Sequence, residues 1–476
     1  MVGSIVVLGM GFVLVNHGFD VLKKDLTRFS SHLQIGSENL KPAYSKKQSV
    51  QIATDAKQTI GKKDLSDYQG WIGKISSADQ VETKDGKSVM TYQISFDNGD
   101  AIKGVKEADL NQAPKAKFSV DKTIQIKPHA TTDVDGYDLT VYQGQAAKVT
   151  NITPNYTKGG GYKYDLLMDD GTDYTNVAET SLKELYAVAL KADNTASQNN
   201  QVLKDAMVYA KNNPGTVLGL PSGSFTIGTQ GDPAKDYLAL ASDTQIRGDN
   251  TTLLVDGAQY WLGLATGSGA YDGVQNFSMK NLTIQAKDPT KGAQFMVMTN
   301  HGANWTISNN RFVMVHKKGS HVFDLGGLQD SGFYNNTFEG YAPDLTSKAK
   351  REDVGDDHDI YAEAIQFDSS DDTGVWDGNI IKSADPDYAS HNSSKIATNG
   401  IMVSGNQFLP YKDASGKLIA YSSSIGQHSS DVTNITVTNN TFTSTLSSRF
   451  ADGNWVFDPI HFTPNSGISE YSNVIN

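Results

Sequence analysis

The pattern Asn-Asn-x-Phe recurs down the C-terminal half of the chain, and no other feature limits the fold as strongly. Asn309-Asn310-Arg311-Phe312, Asn335-Asn336-Thr337-Phe338 and Asn439-Asn440-Thr441-Phe442 carry it in full. Gly405-Asn406-Gln407-Phe408 carries it with glycine in first place, and Lys280-Asn281-Leu282-Thr283-Ile284 is a looser, earlier member. The first two full copies stand 26 residues apart, and Asn439 follows Asn335 by 104 residues, four times that interval. A strand-like segment precedes each copy: Trp305-Thr306-Ile307, Gly332-Phe333-Tyr334, Ile401-Met402-Val403 and Ile435-Thr436-Val437. Repetition at this interval means a stack of similar units, each burying its apolar face against the next. Asparagine suits a fixed turn position because it tolerates a left-handed bend and its side chain can reach the neighbouring coil. The lack of leucine repeats argues against a horseshoe, and the short period argues against a propeller. The expected unit is one coil of a parallel β-helix.

The stack has a recognisable entrance. Gln201 to Asn212 has helical spacing, with Val202, Leu203, Ala206 and Ala210 on one face, and it stops at Asn213-Pro214-Gly215. A strand follows in Leu220-Pro221-Ser222-Gly223-Ser224-Phe225-Thr226-Ile227. This entrance resembles that of right-handed parallel β-helix proteins of the pectate-lyase-like class. His321-Val322-Phe323-Asp324, Asn335 to Tyr341, Glu363-Ala364-Ile365-Gln366-Phe367-Asp368 and Ile425-Gly426-Gln427-His428 resemble the core of secreted Gram-positive β-helix proteins grouped with polysaccharide-degrading enzymes. The resemblance implies an all-β chain with a right-handed single-stranded parallel β-helix over 195–476 as its catalytic domain.

A second repeat lies nearer the N-terminus. Tyr68-Gln69-Gly70-Trp71 corresponds to Tyr142-Gln143-Gly144-Gln145, and Tyr92 to Gly99 corresponds to Tyr164 to Gly171, with offsets of 74 and 72 residues. The strands end in Asp-Asn-Gly and Asp-Asp-Gly, the chemistry of tight hairpin turns. About five short strands per copy make a small barrel. The pair resembles bacterial SH3-like modules, placed at 64–115 and 116–190, and Gly70-Trp71 is similar to cell-wall-binding GW modules. That likeness implies attachment to a cell-wall polymer through Tyr68 and Trp71, the Lys-rich flank suiting an anionic polymer. A structural spacer is the alternative.

Charge and composition narrow the partners. The chain holds 41 Lys+Arg against 53 Asp+Glu, a net charge of −12, which excludes a protein coated for nucleic-acid backbone. The absence of cysteine excludes a disulfide scaffold, a cysteine zinc site and a cysteine nucleophile. Residues 1–20 contain an apolar run from Ile5 to Val15, too short to span a bilayer with confidence and read as a secretion signal or N-terminal anchor; a buried strand or helix is the other reading. Residues 21–63 read as a linker. A secreted or cell-surface location is expected.

The interior of a β-helix is packed, so chemistry has to sit on an outer groove, with coils stacked about 5 Å apart. Counting back twelve residues from the second Asn of each turn reaches Met298, Asp324 and His428, and Ser394 for the Asn406 turn. Trp376-Asp377-Gly378-Asn379 reads as a degenerate coil whose count-back falls within one residue of Asp368. Strand parity turns Asp324, Gln366 and Asp368 outward; Glu363 has inward parity but lies at a strand start, where the chain can bend. Paired carboxylates on one face suit glycoside hydrolysis, in which one acid protonates the leaving oxygen and the other activates water or attacks the sugar. The expected catalytic set is Asp324 and Asp368, with Glu363 as third carboxylate and His428 beside them. Gln366, His321, Tyr341, Trp376 and Gln427 are the expected substrate contacts, and Trp305, Tyr334 and Trp455 further candidate stacking rings.

No cofactor is expected of a hydrolase, although the acidic stretch Arg351 to Asp359, followed by Asp371-Asp372, could hold calcium without having the spacing of a known calcium loop. Two other readings stay open: a polysaccharide lyase acting on a uronate-containing glycan, for which Arg311, Lys317 and Lys318 could serve, and a non-catalytic glycan-binding adhesin.

Overall fold

A computed structural model of the chain describes residues 39–476 apart from 158, 264–272, 318–319, 342–358, 361, 371–374, 377–380, 383–395, 428–431, 447, 452–453 and 463–466. It divides into two units, Met1–Glu184 and Leu185–Asn476. The leader therefore lies outside the described residues.

The second unit is a parallel β-helix. It opens on the helix Ala196–Asn212, which begins five residues earlier than its apolar spacing suggested because Thr195 and Gln198 form a reciprocal capping box. Leu203, Ala206, Met207 and Ala210 of this helix are buried and cover the first coil. The unit itself starts at Leu185 rather than Thr195, since Tyr186–Ala187 already pairs in parallel with Leu218–Gly219.

Each coil contributes to two sheets. In the first, here the ladder sheet, each turn splits the coil's strand in two: Thr306–Ser308 and Arg311–Val313, Gly332–Tyr334 and Thr337–Glu339, Thr398–Ser404 and Gln407–Leu409, Val432–Thr438 and Thr441–Phe442. The second, the groove sheet, stacks Ala258–Gly263, Gln294–Asn300, Phe323–Gly326, Glu363–Asp368, Ser424–Gln427 and Ile460–His461. Successive strands in both are parallel, and the pairing is in register apart from a shift beside Glu363. Three apolar columns fill the interior. Met279, Ile307, Phe333, Val403 and Val437 form one, Trp261, Val297, Phe323, Ile365, Ile425 and Ile460 another. The third is a stack of near-parallel rings, with centroids 4.9 Å apart for Phe312–Phe338 and Phe338–Phe408, and 4.6 Å for Phe408–Phe442.

The two asparagines of each turn divide the work that either alone was expected to do. Asn309, Asn335 and Asn439 take positive φ, as does Gly405 in the same place. The second asparagine is buried and builds a ladder: Asn310 donates from its backbone N and Nδ2 to Oδ1 of Asn336, Asn336 likewise to Asn406, Asn406 to Asn440, and Asn440 to Asn473, all at 2.9–3.1 Å. Each Nδ2 also donates to a carbonyl of the preceding coil, for example Asn406 to Phe333 O at 2.9 Å. Ser472-Asn473, with Ser472 at positive φ, is a fifth turn hidden from the Asn-Asn-x-Phe pattern because serine replaces the first asparagine and Ile475 the phenylalanine.

The coil spacing needs correction. The strand Thr337–Glu339 pairs directly with Gln407–Leu409, and that with Thr441–Phe442, so two coil steps separate Asn335 from Asn439 and not four. The surplus residues are inserted between coils. Val375–Trp376 is one of those insertions: it pairs antiparallel with Ile381–Lys382 and is no coil of the helix.

The first unit contains two five-stranded antiparallel sheets of identical strand order. Ala101–Lys106, Ser88–Ser95, Ile72–Glu82, Ser49–Ile52 and Leu110–Gln112 make the first; Asp173–Ala178, Tyr162–Met168, Ala146–Pro154, Thr123–Ile126 and Leu182–Lys183 make the second. Equivalent hydrogen bonds recur. Gln51 Nε2 donates to Gly70 O and Gln125 Nε2 to Gly144 O; Gln69 Nε2 donates to Ala56 O and Gln143 Nε2 to Ala130 O; Tyr92 and Tyr164 donate to Glu107 and Glu179. Gly99 and Gly171 take the positive φ that their turns require. The first sheet reaches into the expected linker, because Ser49–Ile52 pairs with two strands and Val50 and Ile52 are fully buried. The second sheet ends at Lys183, short of residue 190.

Candidate functional site

The register of the groove sheet fixes which residues share its outer face. One outward column runs Leu262, Met298, Asp324, Gln366, Gly426 and His461. Asp324 is where the twelve-residue count placed it. In the next coil the count fails by two: Gln366 stands beside Asp324, and Asp368 occupies the following outward position, level with Gly326. The failure has a physical cause, since the count started from the segment around Trp376, which pairs antiparallel in an insertion and is not a turn of the helix. Asp324 and Asp368 are thus diagonal neighbours, with Cα atoms about 8 Å apart by standard strand spacings. Both are partly exposed. Gln366 Nε2 donates to Asp368 Oδ2 at 2.5 Å, so the amide locks the orientation of that carboxylate. Gln366 is 5% exposed and its Oε1 is a buried acceptor with no partner among the described residues.

Glu363 does not bend outward. It is 1% exposed, beside a register shift in the pairing with Ser424–Gln427, and its Oε1 lies 2.7 Å from Nε2 of His461. The third carboxylate is therefore a holder of a histidine rather than a group facing substrate. His461 reaches it across Gly426, where an added Cβ would lie 2.2 Å from the imidazole ring. A side chain at Gly426 would close the path. His461 escaped the sequence reading, although it stands twelve residues before Asn473; recognising the fifth turn would have found it.

The remaining expected contacts scatter. His321 is half-buried, and its Nδ1 lies 2.9 Å from the Glu363 carbonyl oxygen, to which it donates when it carries the proton. Tyr341 is 3% exposed, packed with Ala362 and Leu446 and edge-on to His316 at 4.5 Å, so it is core and no surface platform. Gln427 pairs in register with Phe367, shares the inward parity of Ile425 and is buried. His428 and the acidic stretch 351–358 lie outside the described residues, as does the side chain of Trp376. Trp305 is buried core. Among the described residues no group of three or more His, Asp or Glu side chains is placed to hold a metal ion. One buried histidine was not anticipated: His316 Nε2 donates to Ser320 O at 2.7 Å, its Nδ1 has no partner among the described residues, and burial pushes its pKa down to about 3.

The expected wall-binding pair is occupied internally. Trp71 packs against Tyr68, Phe96 and Tyr156 at centroid distances of 4.7, 5.4 and 5.0 Å, and Tyr68 donates to Asp100 Oδ2 at 2.9 Å. Tyr156 belongs to the second repeat, whose Gly161 N also donates to Gly70 O. The Gly70-Trp71 dipeptide seats a loop of the other repeat.

No family model matches the sequence, and comparison with curated proteins finds no match. Similar solved structures exist at low identity. A surface adhesin of Streptococcus pneumoniae is 15% identical over 61% of this chain and 62% of its own, with a TM-score of 0.40. A protein of Geobacillus virus E2 is 11% identical over 70% of this chain and 55% of its own, TM-score 0.34. A family 28 exopolygalacturonase of Yersinia enterocolitica is 11% identical over 69% and 72%, TM-score 0.29. This chain spans less than two thirds of the adhesin and of the viral protein.

Proposed function

We propose that the β-helix unit is a glycoside hydrolase acting on a polysaccharide along its groove sheet. The observation that carries the proposal is the pairing of Asp324 and Asp368 on one outer face, one strand apart, with Gln366 fixing the second carboxylate. Paired carboxylates on one face supply the acid and the base that glycoside hydrolysis needs. Asp368, its carboxylate oriented by the Gln366 amide, is the base that activates water. Asp324 is the acid that protonates the leaving oxygen. His461, held by Glu363 and lying over Gly426, contacts the glycan at the far end of the column. The SH3-like character of the two N-terminal repeats, and a secreted or cell-surface setting based on the apolar run Ile5 to Val15, belong to the same proposal.

Release of reducing ends from a polysaccharide panel, measured with ultraviolet absorbance and in both culture supernatant and cells, tests it. Asp324→Asn and Asp368→Asn should each lower turnover by about a hundredfold to ten-thousandfold, the usual weight of a general acid or base, while leaving the melting temperature unchanged. Full activity in both variants sinks the assignment. Unsaturated, ultraviolet-absorbing products would make the protein a lyase, and binding without turnover would make it an adhesin.

A further inference from the structure

The outer face of the ladder sheet carries a concavity, on a different sheet from Asp324 and Asp368. It is a recess of about 360 Å3 crossing three coils, from Asn304 and Thr306 through Asp330 and Tyr334 to Met402. Two glycines make its floor. A Cβ on Gly332 would lie 2.2 Å from the Tyr334 ring, and one on Gly400 would lie 2.5 Å from Oδ1 of Asp330. The ring and the carboxylate therefore lie down over the backbone of the sheet instead of standing out from it, and the half-exposed ring offers its upper face.

The residue at position 330 is the informative one. At the turn leading into the ladder sheet, Asp243, Asn276, Asn304, Asp330 and Asn434 all take positive φ. Their side chains form a partial row in which Asn304 Nδ2 donates to Asn276 Oδ1 at 3.1 Å and Asn276 Nδ2 donates to Asp243 Oδ1 at 2.7 Å. Asparagine serves such a row because it both donates and accepts, whereas an ionised aspartate can only accept. Asp243 ends the row as an acceptor, but Asp330 interrupts it. Its carboxylate accepts no hydrogen bond among the described residues and borders the recess. Stacking alone does not explain an aspartate there.

We propose that this recess binds a neutral polysaccharide, with the Tyr334 ring against the C–H face of a sugar and the Asp330 carboxylate accepting from two adjacent hydroxyls. An aromatic face and a bidentate acceptor are complementary to a sugar's apolar face and its vicinal donors. The same carboxylate disfavours uronate polymers by like-charge repulsion. The site lies on a different sheet from Asp324 and Asp368 and does not depend on the hydrolase assignment.

Affinity electrophoresis through gels containing dextran, laminarin or polygalacturonate tests it, using full-length Asp324→Asn protein so that turnover plays no part. The expected result is retardation by at least one neutral polymer and none by polygalacturonate. Adding Tyr334→Ala should weaken that retardation at least tenfold, Asp330→Asn should weaken it severalfold, and Tyr334→Phe, which keeps the ring and the fold, should preserve it. Retardation by polygalacturonate alone, no retardation by either neutral polymer, or retardation unchanged in both Tyr334→Ala and Asp330→Asn would overturn the proposal.

Discussion

The ladder and groove columns are built from the same coils and look nothing alike. Down the turn, Asn310, Asn336, Asn406, Asn440 and Asn473 repeat one residue with one bonding scheme, and Phe312, Phe338, Phe408 and Phe442 repeat one ring. Across the groove sheet the equivalent positions are Met298, Asp324, Gln366, Gly426 and His461, no two the same. A stack needs every rung to satisfy the next, because each asparagine's partners are buried main-chain groups that have no other outlet. The outer face has no such requirement, so residue choice there is free to serve chemistry. Uniformity marks what holds the coils together, and its loss marks where function is to be sought.

The contrast can be attacked from both sides. Asn406→Ala, in the middle of the ladder, strands the Asn336 N–H and the Phe333 carbonyl in a buried environment. At about 1–3 kcal/mol for each orphaned group, the loss should be about 3–5 kcal/mol by chemical denaturation, with Asn473→Ala at the last, part-buried rung costing less. Equal costs at the two positions would mean the ladder is not cooperative. On the groove side, Gly426→Ala forces the His461 ring away from a Cβ 2.2 Å distant and so breaks its contact with the buried Glu363. That should cost about 1–3 kcal/mol and lower turnover several-fold, a combination that a passive groove residue would not show.

A separate test is a pH dependence of stability set by one buried histidine. The folded-state pKa of His316 is depressed to about 3, so the unfolded chain takes up a proton that the folded protein refuses as pH falls below the ordinary histidine value near 6.5. Its contribution to stability is fully present above that value and is lost progressively down to about pH 3, at up to about 1.4 kcal/mol per pH unit. His316→Gln should flatten the acid limb of the stability–pH curve, and an unchanged slope would remove His316 as its source.

A second pair of regions repeats the lesson. The two N-terminal repeats share strand order and their Gln–Gly, Gln–Ala and Tyr–Glu hydrogen bonds, yet one carries Gly70-Trp71 and the other Gly144-Gln145. The residues around Gly160 press against Gly70, and Tyr156 stacks on Trp71; a Cβ on Gly144 would meet nothing within 4 Å. Tryptophan stands where a neighbour docks, and glutamine where, among the described residues, none does.

How much was legible follows from these particulars. The asparagine turns announced the β-helix and even its hydrogen bonding, because a local turn geometry repeated in space is also repeated in sequence. Asp324 was found by counting from its own turn, a distance with no insertion in it. Parity turns Asp368 and Gln366 outward, but the count sets Asp368 beside Asp324 where Gln366 stands, because the Trp376 segment it starts from is an insertion and no coil. Glu363, Tyr341 and Gln427, expected at the surface, are buried, which depends on neighbours far along the chain.

The sequence by itself determined the coil, its left-handed turn residues, the duplicated N-terminal sheets and the outward parity of Asp324, Gln366 and Asp368, because all of these arise from interactions that repeat at short range. Only the tertiary structure decided that Glu363 grips His461 across Gly426, that Trp71 is an internal seat, and that Asp330 and Tyr334 flank a recess. Glu363 meets His461 98 positions on, Trp71 meets Tyr156 85 positions on, and Asp330 meets Gly400 70 positions on, and no local spacing encodes those contacts.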